Sequence, residues 1–191
     1  MVHQVTEQVY QVMERILEDM LQPAAYIPYG IGAGGLFLLG WLFIYACSFG
    51  TKRQKKGRGP WRLFFCVVYL TVLLILAFFS REPGSRTGID WELFATWGKS
   101  AQSHAYFIEN ILMFVPFGLL LPAAVPAMRS GIICVGSGFF LSAGLELAQL
   151  LTGRGFCQLD DIVTNTAGCA AGYLFFLIWH RFCKKTEKLK K

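Results

Sequence analysis

Five apolar stretches, each long enough to cross the hydrocarbon core of a bilayer, follow one another along this chain and constrain its fold more than any motif does. They run from about residue 27 to 49, 63 to 79, 106 to 124, 131 to 151 and 160 to 182. A crossing helix needs about 17–25 predominantly apolar residues. Only 16% of the 191 residues are charged, against about 25% in an average soluble domain, and the deficit lies in these stretches. The expected class is therefore all-α: an integral membrane bundle of five transmembrane helices.

The segment before the first span reads differently. Glu7, Glu14, Arg15, Glu18 and Asp19 alternate with Val2, Val5, Val9, Val12, Ile16 and Met20 at spacings of three and four. That places one apolar stripe on a helix. It lacks the basic start and apolar core of a secretory signal. The expected organisation is an amphipathic N-terminal helix over 1–26, ended by Pro23 and Pro28, a five-helix membrane domain over 27–182, and a basic, frayed tail over 183–191. Gly30, Gly32, Gly34 and Gly35 in the first span predict close helix packing. Pro116 and Pro122 in the third each remove a backbone donor, which predicts a kinked or broken helix.

Charge then sets an orientation. The segment 51–62, the turn 126–130 and the tail from Arg181 share one side of a five-span protein and hold 13 of the 18 Lys and Arg. Eleven of the 12 Asp and Glu lie on the other side or near it. The positive-inside rule makes the basic side cytoplasmic and the N-terminus external. The expected location is a membrane, crossed five times with the basic side facing the cytoplasm. The basic residues are then topology signals and contacts to anionic lipid, and nucleic acid is excluded as a partner.

The six cysteines form no disulfide framework. Cys47, Cys66, Cys134 and Cys169 belong to apolar spans, Cys183 is cytoplasmic, and Cys157 alone faces outside. There is no C-x-x-C and no His–Cys cluster, so no metal and no cofactor is expected.

The polar residues of the last three spans carry the chemistry. Glu109, Asn110, Glu146, Gln149, Arg154, Asp160, Asp161 and Asn165 all fall in the outer third of a span or just beyond it. Glu146 and Gln149 share a helix face, as do Asp161 and Asn165. An intramembrane carboxylate is costly and calls for a partner, and Arg154 is the evident candidate. One reading makes the cluster structural, with Arg154 neutralising Glu146 or Asp161 and the amides serving leftover backbone groups. The other makes it a ligand site open to the outer leaflet, with Glu146 and Asp161 as candidate catalytic acid or base and His104 as a further base. Four acids against one Arg favour the second. Gly168-x-x-x-Gly172 on the fifth span reads as a helix-packing face.

The run Glu109-Asn110-Ile-Leu-Met-Phe-Val-Pro116-Phe-Gly118, followed by Glu146-Leu-Ala-Gln149, Arg154-Gly-Phe and Asp160-Asp161-Ile-Val-Thr-Asn165-Thr-Ala-Gly168, resembles the VanZ-like family of bacterial membrane proteins. The similarity covers about 37–179. It gives weight to Asn110, Pro116, Gly118, Glu146, Gln149, Arg154, Asp161, Asn165 and Gly168, without assigning a reaction. It implies a cell-envelope role, the founding member being linked to low-level resistance to the glycopeptide teicoplanin. The expected partners are membrane lipids and a lipid-linked cell-wall component or lipoglycopeptide, bound in an outer-leaflet polar pocket. The alternatives are an intramembrane enzyme modifying a lipid-anchored envelope polymer by carboxylate acid–base chemistry, and, less favoured, a small transporter.

Overall fold

The computed structural model describes residues 2–47, 60–84, 88–93 and 100–189. Five long helices dominate: α1 Val2–Cys47, α2 Trp61–Leu74, α3 Ala101–Ala124, α4 Gly131–Thr152 and α5 Leu159–Leu189. A π-helical turn, Ile75–Phe79, extends α2, and a 3-10 turn, Pro126–Arg129, joins α3 to α4. Each of the five, α2 together with its π turn, contains a segment long and apolar enough to cross a membrane. Most of the basic segment 51–62 lies outside the described residues.

Three sequence expectations change. The chain does not leave its N-terminal helix at Pro23 or Pro28, because α1 runs unbroken through both. α3 likewise continues through Pro116 and Pro122 and ends only at Val125, whose backbone is extended. At the C-terminal end of α3, where the last carbonyls lack intrahelical donors, Arg129 Nε donates to the Pro122 carbonyl at 3.4 Å and Arg62 Nη1 to that of Ala123 at 3.0 Å. The tail is not frayed at Phe182 either, since α5 stays helical to Leu189.

The closest packing joins α3 to α5. Glycine makes it possible: a Cβ on Gly168 would fall on the carbonyl oxygen of Ile111, one on Gly172 on that of Val115, and one on Gly118 on that of Cys169. Backbone therefore lies against backbone, the arrangement small residues permit in membrane helices. On α1, Gly30 and Gly34 press against Val68 and Phe64 of α2, whereas Gly32 and Gly35 face open space. The buried core, including Leu73, Phe114, Phe117, Leu121, Leu145 and Cys169, lies among α2, α3, α4 and α5. Tyr69 on α2 donates to the Met113 carbonyl on α3 at 2.8 Å.

Candidate functional site: a carboxyl cluster at one end of the bundle

Local stereochemistry brings the polar residues to the end where α2 finishes, α3 begins and α4 turns into α5. Ser100 caps α3 by accepting from the Ser103 N–H at 3.1 Å. Gly153 ends α4 in the left-handed region at φ 65° and sends its N–H to the Leu150 carbonyl, a termination that glycine permits without strain. Asp160 and Asp161 occupy the first turn of α5, where negative charge suits the helix dipole.

A short parallel bridge closes over this turn. Ile89 and Asp90 (β1) of the α2–α3 connection pair with Cys157 and Gln158 (β2) of the α4–α5 connection. The Cys157 N–H donates to the Gly88 carbonyl at 2.9 Å. The next N–H, that of Gln158, donates to Glu146 Oε2 at 2.9 Å. The bridge thus orients a backbone donor onto a carboxyl that is only 3% exposed.

The other residues divide into those the fold gathers around Glu146 and those it sends elsewhere. Asp161 Oδ1 accepts from Asn110 Nδ2 at 2.7 Å, which ties α5 to α3. Asn165, on the same face of α5, donates through Nδ2 to Ser142 Oγ at 2.9 Å. Gln149 donates through Nε2 to the Ala77 carbonyl at 2.7 Å. Asp160 is buried, and its carbonyl accepts from Thr164 Oγ1 at 2.8 Å.

Arg154 does not act as the counter-ion. Its Nη1 donates to the carbonyls of Phe78, Phe79 and Arg81 at 3.2, 3.4 and 2.7 Å. The guanidinium carbon also stands 4.8 Å from the centre of the Phe78 ring. Among the described residues it makes no ion pair with Glu146 or Asp161. The last carbonyls of a helix lack intrahelical donors, and here the π turn presents several to one forked cation. Glu109 also leaves the cluster. It faces Asp19 of α1, carboxyl to carboxyl within hydrogen-bonding reach, because consecutive residues on a helix point about 100° apart. His104 lies on the first turn of α3.

The cation that the sequence reading missed is Arg81. Its charge reaches both Glu146 and Asp161. Its Nη1 lies 2.9 Å from where a Cβ on the buried Gly155 would stand, with Gln149 Oε1 3.5 Å from the same point. The usable signal was position: Arg81 follows the end of a span, on the side where the acids collect. Cys157, in the bridge, has its thiol pushed up from the ordinary range, first by burial and then by the nearby Glu146 and Asp161. It is held as a thiol and is a poor nucleophile at neutral pH.

Among the described residues, four buried side-chain atoms have no hydrogen-bond partner: Glu109 Oε1, Gln149 Oε1, Arg154 Nε and Asn165 Oδ1. Buried polar atoms in folded proteins are nearly always paired, so two of these, Gln149 Oε1 and Asn165 Oδ1, mark unfilled capacity beside the carboxyls.

The fold and the cluster define a class: a multi-pass helical membrane protein with a carboxyl-rich site where three helices meet. The VanZ/LLP1 family model matches residues 64–180, more than half of the chain. The chain belongs to the VanZ/LLP1 family, which is associated with glycopeptide resistance. No curated protein and no solved structure matches it significantly. The matched region begins within α2 and holds every residue of the cluster.

Proposed function

We propose that this protein lies in the bacterial cytoplasmic membrane with its N-terminus outside and its C-terminus cytoplasmic. The Glu146–Asp161 cluster then meets the outer leaflet and binds the polar part of an amphiphilic envelope ligand, a lipid-linked cell-wall component or a lipoglycopeptide, thereby contributing to low-level teicoplanin resistance. The observation carrying this reading is the pair of carboxyls, Glu146 and Asp161, beside buried amide oxygens without donors. A purely structural cluster would be expected to satisfy those atoms. Orientation rests on the distribution of Lys and Arg.

Carboxylate acid–base catalysis on a lipid-anchored polymer would use the same two groups. It has less support: the nearest thiol, Cys157, is disfavoured as a nucleophile, and no metal-binding group of three or more His, Cys, Asp or Glu occurs among the described residues.

The test is teicoplanin susceptibility of an expressing strain at matched protein level. Glu146→Gln and Asp161→Asn keep shape and hydrogen-bonding capacity while removing charge. Each is expected to lower the inhibitory concentration, by up to about tenfold, which corresponds to ~1.4 kcal/mol of binding. Wild-type resistance in both variants at equal abundance would refute a role for the site in resistance.

A further inference from the structure

Among the described residues, the unfilled hydrogen-bonding capacity around Glu146 is mainly that of acceptors, with Arg154 Nε the one buried donor left over. Gln149 is 2% exposed, and its amide orientation is fixed because Nε2 lies on the Ala77 carbonyl, which can only accept. The free atom, Oε1, is therefore an acceptor. Asn165 Oδ1, on a residue 4% exposed, is a second. Glu146 Oε2 and Asp161 Oδ1 receive one donor each, from Gln158 N–H and Asn110 Nδ2. A carboxylate offers about four acceptor positions across its two oxygens.

Arg154 is turned to the end of α2: its Nη1 is held by three carbonyls and its guanidinium carbon stands 4.8 Å from the centre of the Phe78 ring. Arg81 is exposed and is the guanidinium whose charge the two acids share. Among the described residues, a phosphate entering here would meet two carboxyls and, with Arg154 turned to the α2 carbonyls, the single guanidinium of Arg81. A group that donates hydrogen bonds and carries positive charge would meet matched acceptors and opposite charge.

The surroundings identify what carries such a group. Phe156 and Trp91 flank the β1–β2 bridge, 42% and 72% exposed. They give the site an apolar rim beside a membrane-spanning bundle, the setting of an amphiphile's headgroup boundary.

We propose that the site receives the primary ammonium of a lipid headgroup, its three N–H donors directed at Glu146, Asp161 and Gln149 Oε1. This rests on the ligand-binding reading above and names the chemical class that reading left open. Arg81 is the resident counter-ion that the ammonium replaces.

The experiment is native mass spectrometry of the full-length, delipidated protein in detergent, titrated with phosphatidylethanolamine, phosphatidylcholine and phosphatidylglycerol of identical acyl chains. Ethanolamine lipid is expected to bind about tenfold more tightly than either of the others. Choline keeps the charge without N–H donors, and glycerol keeps the phosphate without the cation. Glu146→Gln and Asp161→Asn are each expected to erase the preference while the protein stays monodisperse. Soluble glycerophosphoethanolamine is expected not to compete at equal concentration. Equal binding of the three lipids, or a preference kept in both variants, would overturn the proposal. Equal competition by the chain-free headgroup would overturn its lipid part. If the variants lose teicoplanin resistance but no lipid preference exists, the ammonium assignment fails and the site stands. If the preference exists but resistance is unchanged, resistance fails and the ligand class stands.

Discussion

The α1–α2 pair and the α3–α4–α5 unit are built from similar apolar helices but are held together by different means. In α1 only 11% of the most apolar stretch is buried, against 33% in α5. The pair has one backbone-to-backbone approach, Gly30 on the Val68 carbonyl, while Gly34 meets the Phe64 ring. The larger unit meets backbone to backbone at three glycines, Gly118, Gly168 and Gly172, and among the described residues the polar links around Glu146 and Asp161 are made within it or from it to the end of α2 and the bridge that follows. The difference teaches where the working end lies. Buried carboxyls need neighbours held at fixed distance, and α3 and α5 are the helices whose separation is set by backbone contact at three successive points.

The largest effect should come from prying those backbones apart. Gly168→Val or Gly172→Val places branched carbon where a carbonyl oxygen stands, and the α3–α5 contact cannot close. Overpacking typically costs about 1–3 kcal/mol and occasionally more, and two rigid main chains put this case at the upper end. The expected outcome is loss of monodisperse protein by size-exclusion chromatography in detergent. Gly32→Ala and Gly35→Ala on α1 meet open space and should leave yield and thermal stability within about 1 kcal/mol of the parent. Equal tolerance in both regions would erase the contrast.

The two arginines sharpen it. Arg154→Ala removes three bonds to carbonyls at the end of α2 and should cost about 2–3 kcal/mol, a loss typical of charged hydrogen bonds. Arg154→Lys should recover little, because an ammonium lacks the planar fork. Arg81→Ala breaks no hydrogen bond to backbone among the described residues but removes the exposed cation shared by Glu146 and Asp161, and should change stability by less than about 1 kcal/mol. Thermal unfolding in detergent separates the two. A destabilised Arg81→Ala beside an unaffected Arg154→Ala would reverse the assignment.

These contrasts mark how far the sequence could be read. The spans were legible because hydrocarbon permits few solutions, and length with apolar content decides among them. The polar cluster was legible because charge inside a span is rare. Pairing was not. Glu109 and Asn110 are adjacent in sequence, yet one faces Asp19 on α1 and the other Asp161 on α5. Arg154 has the charge to answer Glu146, but the freed carbonyls of the π turn compete for it, and nothing in the residues 75–79 announces that turn. Pro23 and Pro28 read as an exit because proline breaks helices in water, whereas α1 continues through both. Each miss is a tertiary choice among partners that local spacing leaves equivalent.

The smallest effect expected is at Cys157, and it tests whether the charge of Glu146 reaches the bridge. Burial and the carboxylates of Glu146 and Asp161 disfavour its thiolate, so alkylation of the folded protein at neutral pH should be slow. Glu146→Gln removes one negative charge while keeping an acceptor for the Gln158 N–H. The thiol then falls toward its ordinary range, the thiolate fraction at fixed pH rises, and the maleimide rate should increase a few-fold. A rate unchanged by Glu146→Gln, with the protein still folded, would mean that the carboxyl carries no charge at Cys157. The polar end would then be held by hydrogen bonds alone, as the α2–α3 contact at Tyr69 is.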